Sequence, residues 1–320
     1  MPSAPDVTLL TVVHDAIDLF ALNVAHTRWL NGEHAGAANV TKWLVVDNRV
    51  GDGEAGARAE GGWPDGVTVI PGAARTDARD AGSRHHADGL HCGLAHVRTR
   101  FVLVLDPDFY VLIDGWIERV VAHAEARGLA LFGSAWHPRW TSQFRNFPSI
   151  HCLLVDGRRL PFERLDLRPR IHEDAWWQRI NDESRWVPLR GLLKRGRIRD
   201  TGSELHRLYR RDPAILHEEL VPHWTGPRRL ASRAALRVGA ALGRRLPWAA
   251  LETTRATPES FLRRDFPDAY ADHWEEFFWQ GRPFAFHLRQ VGRQRLGSAT
   301  ASDAERVAAV LAAYRDRPPG

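Results

Sequence analysis

Phe101-Val-Leu-Val-Leu105-Asp106-Pro107-Asp108 decides the fold. Five consecutive apolar residues suit an interior parallel strand covered by helices on both faces, and the strand ends in two carboxylates separated by one proline. The carboxyl end of such a strand opens on the ligand crevice of an open α/β sheet. Asp106 and Asp108 can turn to one side there, where a hard divalent cation would accept them together with phosphate oxygens. Asp-x-Asp alone is common in surface turns, so its place behind a buried strand carries the reading.

Working outward, strands and helices alternate. Val7 to Val13 is a continuous apolar strand, Asp18 to Trp29 a helix, and Trp43 to Asp47 a second buried strand ending in an acid. Val67 to Ile70 makes a short strand before Pro71-Gly72, and a helix is expected from Arg84 to Val97. After Asp106 come a helix over Trp116 to Ala126 and a strand near Leu129 to Phe132. This is the βαβ pattern of a doubly wound sheet. No Gly-x-Gly-x-x-Gly follows the first strand and no Gly-x-x-x-x-Gly-Lys occurs, which weakens dinucleotide and P-loop readings. Bound phosphates would therefore need a metal.

The chain has 320 residues, enough for a large core in one or two domains. No apolar run approaches the length of a membrane span and no basic leader precedes an apolar core, so a cytoplasmic location is expected. The two cysteines, Cys92 and Cys152, suit a reducing compartment. Net charge is +5, but Arg228 to Arg255 holds seven arginines against one acid, leaving about −1 elsewhere. The basic character is regional, which argues against a nucleic-acid partner.

The succession Thr8-Leu-Leu-Thr11-Val-Val-His14, Leu44-Val-Val-Asp47-Asn48, His86-Ala-Asp-Gly-Leu-His91 and Phe101 to Asp108 resembles the nucleotide-sugar half of family 2 glycosyltransferases with the GT-A fold. It covers roughly residues 6 to 226. The resemblance implies a GT-A-type doubly wound mixed sheet in a catalytic domain over 1–227, with a mainly helical region over 228–320. It also implies a metal-dependent, inverting sugar transfer from a nucleoside diphosphate sugar to a carbohydrate, lipid-linked or small-molecule acceptor, with Mn²⁺ or Mg²⁺ as cofactor. Asp47 would meet the nucleobase, with Thr11 and His14 at the nucleotide. Asp106 would lean toward the ribose and Asp108 toward the metal. Asp47 also reads, second, as a strand-end turn former with Asn48. Arg84 and His86, at a helix amino terminus, would lie close to the nucleotide, where backbone N–H groups favour anions.

The family places an acid at a helix start some two dozen residues before a histidine, as general base of inverting transfer. Asp200, in Asp200-Thr-Gly-Ser-Glu, and His223, in His223-Trp-Thr-Gly226, match that spacing, and His223 becomes a candidate third metal ligand. A strand from Ala214 to Leu220 would lead to that histidine. Asp200 also reads as an ordinary helix cap. The usual Glu-Asp pair is absent there and stands earlier as Glu173-Asp174, which makes Asp174 the competing base.

Trp136 to Phe147 is an aromatic segment that could stack acceptor sugar rings or simply pack under a loop. The histidines His85, His86, His91 and His96 lack the paired spacing of a zinc site. Residues 228–246 read as a helix that covers the core; the second reading is peripheral contact with an anionic membrane. Trp274 to His287 is aromatic at helical spacing and breaks at Gly281, and Ala299 to Tyr314 reads as an amphipathic helix. A nucleotide-sugar-binding protein without transfer activity is the alternative from another functional class. Nucleotidyl transfer is weaker, lacking a Gly-rich signature after the first strand.

Overall fold

The computed structural model describes residues 6–14, 16–33, 42–48, 62–72, 81–137, 147–169, 200–223, 260–271, 274–288 and 301–316. Strands β1 (Val7–Val13), β2 (Lys42–Asp47), β3 (Val67–Pro71) and β4 (Phe101–Leu105) pair in parallel in the order β3-β2-β1-β4. Beyond β4 the sheet turns mixed through β7 (Cys152–Asp156), β6 (Leu131–Ser134) and β8 (His217–Pro222), with β7 antiparallel to both of its neighbours. A hairpin, β9 (Glu275–Trp279) and β10 (Arg282–His287), continues it to β5 (Phe109–Val111). The expected α/β sheet with helices on both faces is present.

Alternation along the strands builds two cores. On β4, Phe101, Leu103 and Leu105 face one cluster with Phe20 and Val24 of α1 (Ile17–Arg28) and Val120 of α3 (Trp116–Arg127). Val102 and Val104 face the other, with Leu90 and Leu94 of α2 (Ala81–Leu94) and Leu205 of α4 (Ser203–Tyr209). A third cluster joins Tyr110 and Phe286 to Phe261 of α5 (Phe261–Asp265), Ala269 of α6 (Pro267–Ala271) and Val310 of α7 (Ala301–Arg315).

The helical reading of Trp274 to His287 is overturned. Glu275 to Trp279 are buried on both faces, so aromatics at three- and four-residue spacing fit a covered strand as well as a helix. The deciding signal was the two-residue turn Gln280-Gly281, both at positive φ (51° and 77°), the geometry of a tight hairpin. The region after 228 therefore contributes two strands to the sheet besides helices. The boundary at 227–228, the arginine-rich segment and Asp174 lie outside the described residues. The strand expected over 214–220 runs from His217 to Pro222, and the one expected near 129–132 from Leu131 to Ser134.

Candidate functional site

The Asp-x-Asp turn lies where the chain leaves one part of the sheet for another. β4 sits among the parallel strands, yet β5, which starts at Phe109, pairs with β10 at the far end of the strand order. Asp106 to Asp108 make that jump. The turn is held by backbone bonds: Asp106 N–H donates to His151 O (2.9 Å), Phe109 N–H to Asp106 O (3.1 Å) and Leu288 N–H to Asp108 O (3.0 Å). Asn23, buried in α1, aims its amide at the carbonyls of Asp106, Pro107 and Phe109 (3.3, 3.2 and 2.9 Å). An asparagine on the inner face of a helix is the sequence signal for such a clamp.

The hairpin brings His287 to the carboxylates. Its Nε2 lies 3.3 Å from Asp108 Oδ1 and 4.0 Å from Asp106 Oδ2, and its Nδ1 lies 3.2 Å from Glu275 Oε2. One ligand atom from each of Asp106, Asp108 and His287 falls within 4.8 Å of the others. Around an ion with ligands at about 2.1 Å, adjacent donors stand about 3.0 Å apart and opposite ones about 4.2 Å. Two carboxylates and an imidazole this close together could hold a divalent metal ion. Burial works against a charged His287, but Asp108 and Glu275 outweigh it and raise its pKa to about 10, so a cation bound there would displace a proton from the ring.

His223 does not join this group. Its backbone N–H donates to Glu276 O (2.7 Å), its carbonyl meets His137 Nε2 (2.8 Å), and its ring tilts against Phe278. The family-like spacing leads to a histidine on β8's end, whereas the histidine that approaches both carboxylates arrives on β10. Nothing local in the sequence marks His287, because only the unforeseen hairpin carries it there.

The other expected residues divide. His14, at the end of β1, lies against His85 and His86 of α2, with ring centroids 5.0 and 6.3 Å apart. His86 Nε2 is 3.8 Å from Asp106 Oδ1, so His86 lies beside the first carboxylate. Burial, then the nearby His14 and His85, lower the His86 pKa to about 3 and keep its ring neutral at pH 7. Arg84 is exposed on the same helix. Asp47 is buried at the end of β2, its carbonyl accepting from Gly72 N–H (2.9 Å). Asn48 beside it donates to His85 O (2.8 Å), which ties the β2 end to α2. Thr11 is set inside the sheet: its hydroxyl donates to Leu105 O (2.9 Å) and accepts from the Trp43 indole (3.0 Å). It braces β1 against β4 rather than facing the crevice.

Asp200 does not cap α4, whose N-cap position is Gly202. Asp200 Oδ1 accepts from the Ser83 hydroxyl (2.8 Å) and from Thr201 N–H (2.9 Å), while Thr201 Oγ1 donates to Ser83 O (2.9 Å). The carboxylate therefore stands beside the first turn of α2, one turn from His86. Trp136 and Phe147, the ends of the aromatic segment, are core residues at 2% and 0% exposure, and residues 138–146 lie outside the description. His91 accepts from Leu167 N–H (3.1 Å) and His96 bonds Cys92 O (2.9 Å); both serve the fold.

An α/β protein with a cation-type donor set at a jump in its sheet is the class that fold and site define. No protein-family model and no curated protein matches the sequence. Among solved structures, the chain is similar to the mannosyltransferase PcManGT from Pyrobaculum calidifontis in complex with GDP-Man and Mn²⁺. The TM-score is 0.36 at 14% identity, covering 98% of this chain and 83% of that one. It is also similar to S. aureus TarS 1–349, at TM-score 0.33 and 8% identity over 51% of this chain. This chain spans about half, 50%, of that TarS chain. No described helix is long and apolar enough to cross a membrane.

Proposed function

We propose that the protein is a metal-dependent, inverting glycosyltransferase of the GT-A type that uses a nucleoside diphosphate sugar. The observation that carries this is the convergence of Asp106, Asp108 and His287 at the strand jump, in the crevice where the sequence resemblance expects the diphosphate. Asp108 and His287 would hold Mn²⁺ or Mg²⁺, with Asp106 shared between metal and ribose, and Asp47 at the nucleobase. A bound ion would neutralise charge on the departing nucleoside diphosphate. His14 and the neutral His86 would offer hydrogen bonds to phosphate or ribose oxygens.

In the transfer, the acceptor oxygen bonds to the anomeric carbon on the face opposite the diphosphate, and the bond from that carbon to the diphosphate oxygen breaks. The acceptor proton goes to a carboxylate, which we assign to Asp200, with Asp174 as competitor. The acceptor class stays a carbohydrate, a lipid-linked molecule or a small molecule, and the location cytoplasmic, with peripheral membrane contact through residues 228–246 as its variant.

One observation favours the second reading, a nucleotide-sugar-binding protein without transfer. Asp200 accepts from Ser83 and Thr201 and so links α4 to α2, a structural use that needs no catalysis. Calorimetry with UDP and GDP, each with Mn²⁺ or EDTA, tests the donor site on wild type and Asp108→Asn. Cation-dependent nucleotide binding that the variant lacks is expected. Equal affinity in every condition refutes the metal site. Product mass after incubation with donor sugars then separates transfer from binding alone.

A further inference from the structure

We propose that Glu275 is a positioning residue that holds the His287 imidazole so that Nε2 faces Asp106 and Asp108. The inference rests on reading those three residues as the cation site. Glu275 and His287 are register partners across the β9–β10 hairpin, which puts their side chains on one face of the sheet. Glu275 Oε2 is 3.2 Å from His287 Nδ1, and the opposite nitrogen points at the carboxylates.

A histidine that binds a metal through one nitrogen donates its other ring N–H, often to a carboxylate that fixes both tautomer and ring angle. With Glu275 ionised, the donor to it is Nδ1–H, which leaves Nε2 with its lone pair when the ring is neutral. His151 and Phe109 flank the ring, with centroids 4.7 and 5.7 Å away, and limit its tilt. Glu275 itself is 0% exposed at the start of a strand that is otherwise aromatic beyond Glu276. A fully buried carboxylate is costly without partners, and His287 is one of them.

The test is Mn²⁺ binding to the full chain, read from the loss of the free-ion electron paramagnetic resonance signal, with near-UV circular dichroism to verify folding. Glu275→Ala should weaken Mn²⁺ binding by about 10- to 100-fold, the usual effect of removing a carboxylate behind a ligating histidine. Glu275→Gln, whose amide oxygen still accepts from Nδ1–H, should recover most of that loss. In the His287→Ala background, adding Glu275→Ala should change the affinity little, because the group it positions is gone. Folded Glu275→Ala with wild-type affinity, alongside a weakened His287→Ala, overturns the role of Glu275 and leaves the site standing. Wild type that binds no Mn²⁺ overturns the site and this role together. Should Glu275→Ala not fold, the cycle is read with Glu275→Gln, and losses that multiply independently of His287 overturn the proposal.

Discussion

Glu276, next to the positioning acid but on the opposite face of β9, should make the fold less stable as pH rises toward neutrality. It is 2% exposed; its Oε1 accepts from Phe261 N–H (3.0 Å) at the start of α5. Burial raises its pKa from 4.5 to about 7, against the opposing pull of the Ser260 hydroxyl, the Phe261 and Leu262 amides and the Arg264 charge. The folded state thus keeps a proton that the unfolded chain gives up. Its contribution is whole below pH 4.5 and is lost as pH climbs to about 7. The interval amounts to about 3 kcal/mol at about 1.4 kcal/mol per pH unit. Glu276→Gln removes the ionisation but sets an amide N–H₂ where Oε2 has no hydrogen-bond partner among the described residues, at a cost of about 1 to 2 kcal/mol. The variant should therefore be about 1 to 2 kcal/mol more stable than wild type at pH 8 and equal or weaker at pH 4.5. Urea unfolding of both proteins in EDTA at pH 4.5, 6 and 8 measures this, and other titrations cancel in the difference. A difference that does not change with pH would refute the reasoning.

Mn²⁺ at about a hundredfold over its dissociation constant should stabilise wild type by about 2.7 kcal/mol, seen as a rise in Tm. His287→Ala should abolish that rise and His223→Ala should keep it; the reverse would return the third ligand to β8's end. Asp200→Asn should leave nucleotide binding near wild type and lower turnover by about 10²- to 10⁴-fold, the worth of a positioned base. If Asp174→Asn does this instead, Asp200 is only the link to Ser83. Gly133→Ala should cost about 3 kcal/mol in denaturant unfolding, because a Cβ there would stand 2.0 Å from the Cys152 carbonyl oxygen in the neighbouring strand. Gly281→Ala meets nothing within 4 Å and should lose only about 1 to 2 kcal/mol of backbone preference at its φ of 77°.

Much of the first half was legible because its strands are buried on both faces. Val7 to Val13, Trp43 to Val46 and Phe101 to Leu105 are runs of apolar residues broken only by Thr8 and Thr11, and such runs with helical stretches between them leave little choice but a parallel sheet. The acids that end two of these strands were legible for the same reason, since a strand's carboxyl end fixes where its next residue goes. The partners of Thr11 were not legible, because position along a strand does not say which face a hydroxyl takes or what it meets. Its partners, Trp43 and Leu105, come from neighbouring strands and are invisible to any local pattern.

The hairpin was lost to a different ambiguity. Aromatic residues in a short covered segment satisfy helical and strand periods alike, and Gln280-Gly281 weighs more than either because two adjacent residues at positive φ close a hairpin and cannot continue a helix. That misreading also hid the third member of the site. Asp106 and Asp108 stand on a turn between β4 and β5, and His287 stands at the end of β10, which β5 must pair with before the ring can reach the carboxylates. Cation affinity should thus report not only the three side chains but the closing of the sheet, because a chain without its hairpin keeps both carboxylates and loses the nitrogen that completes them.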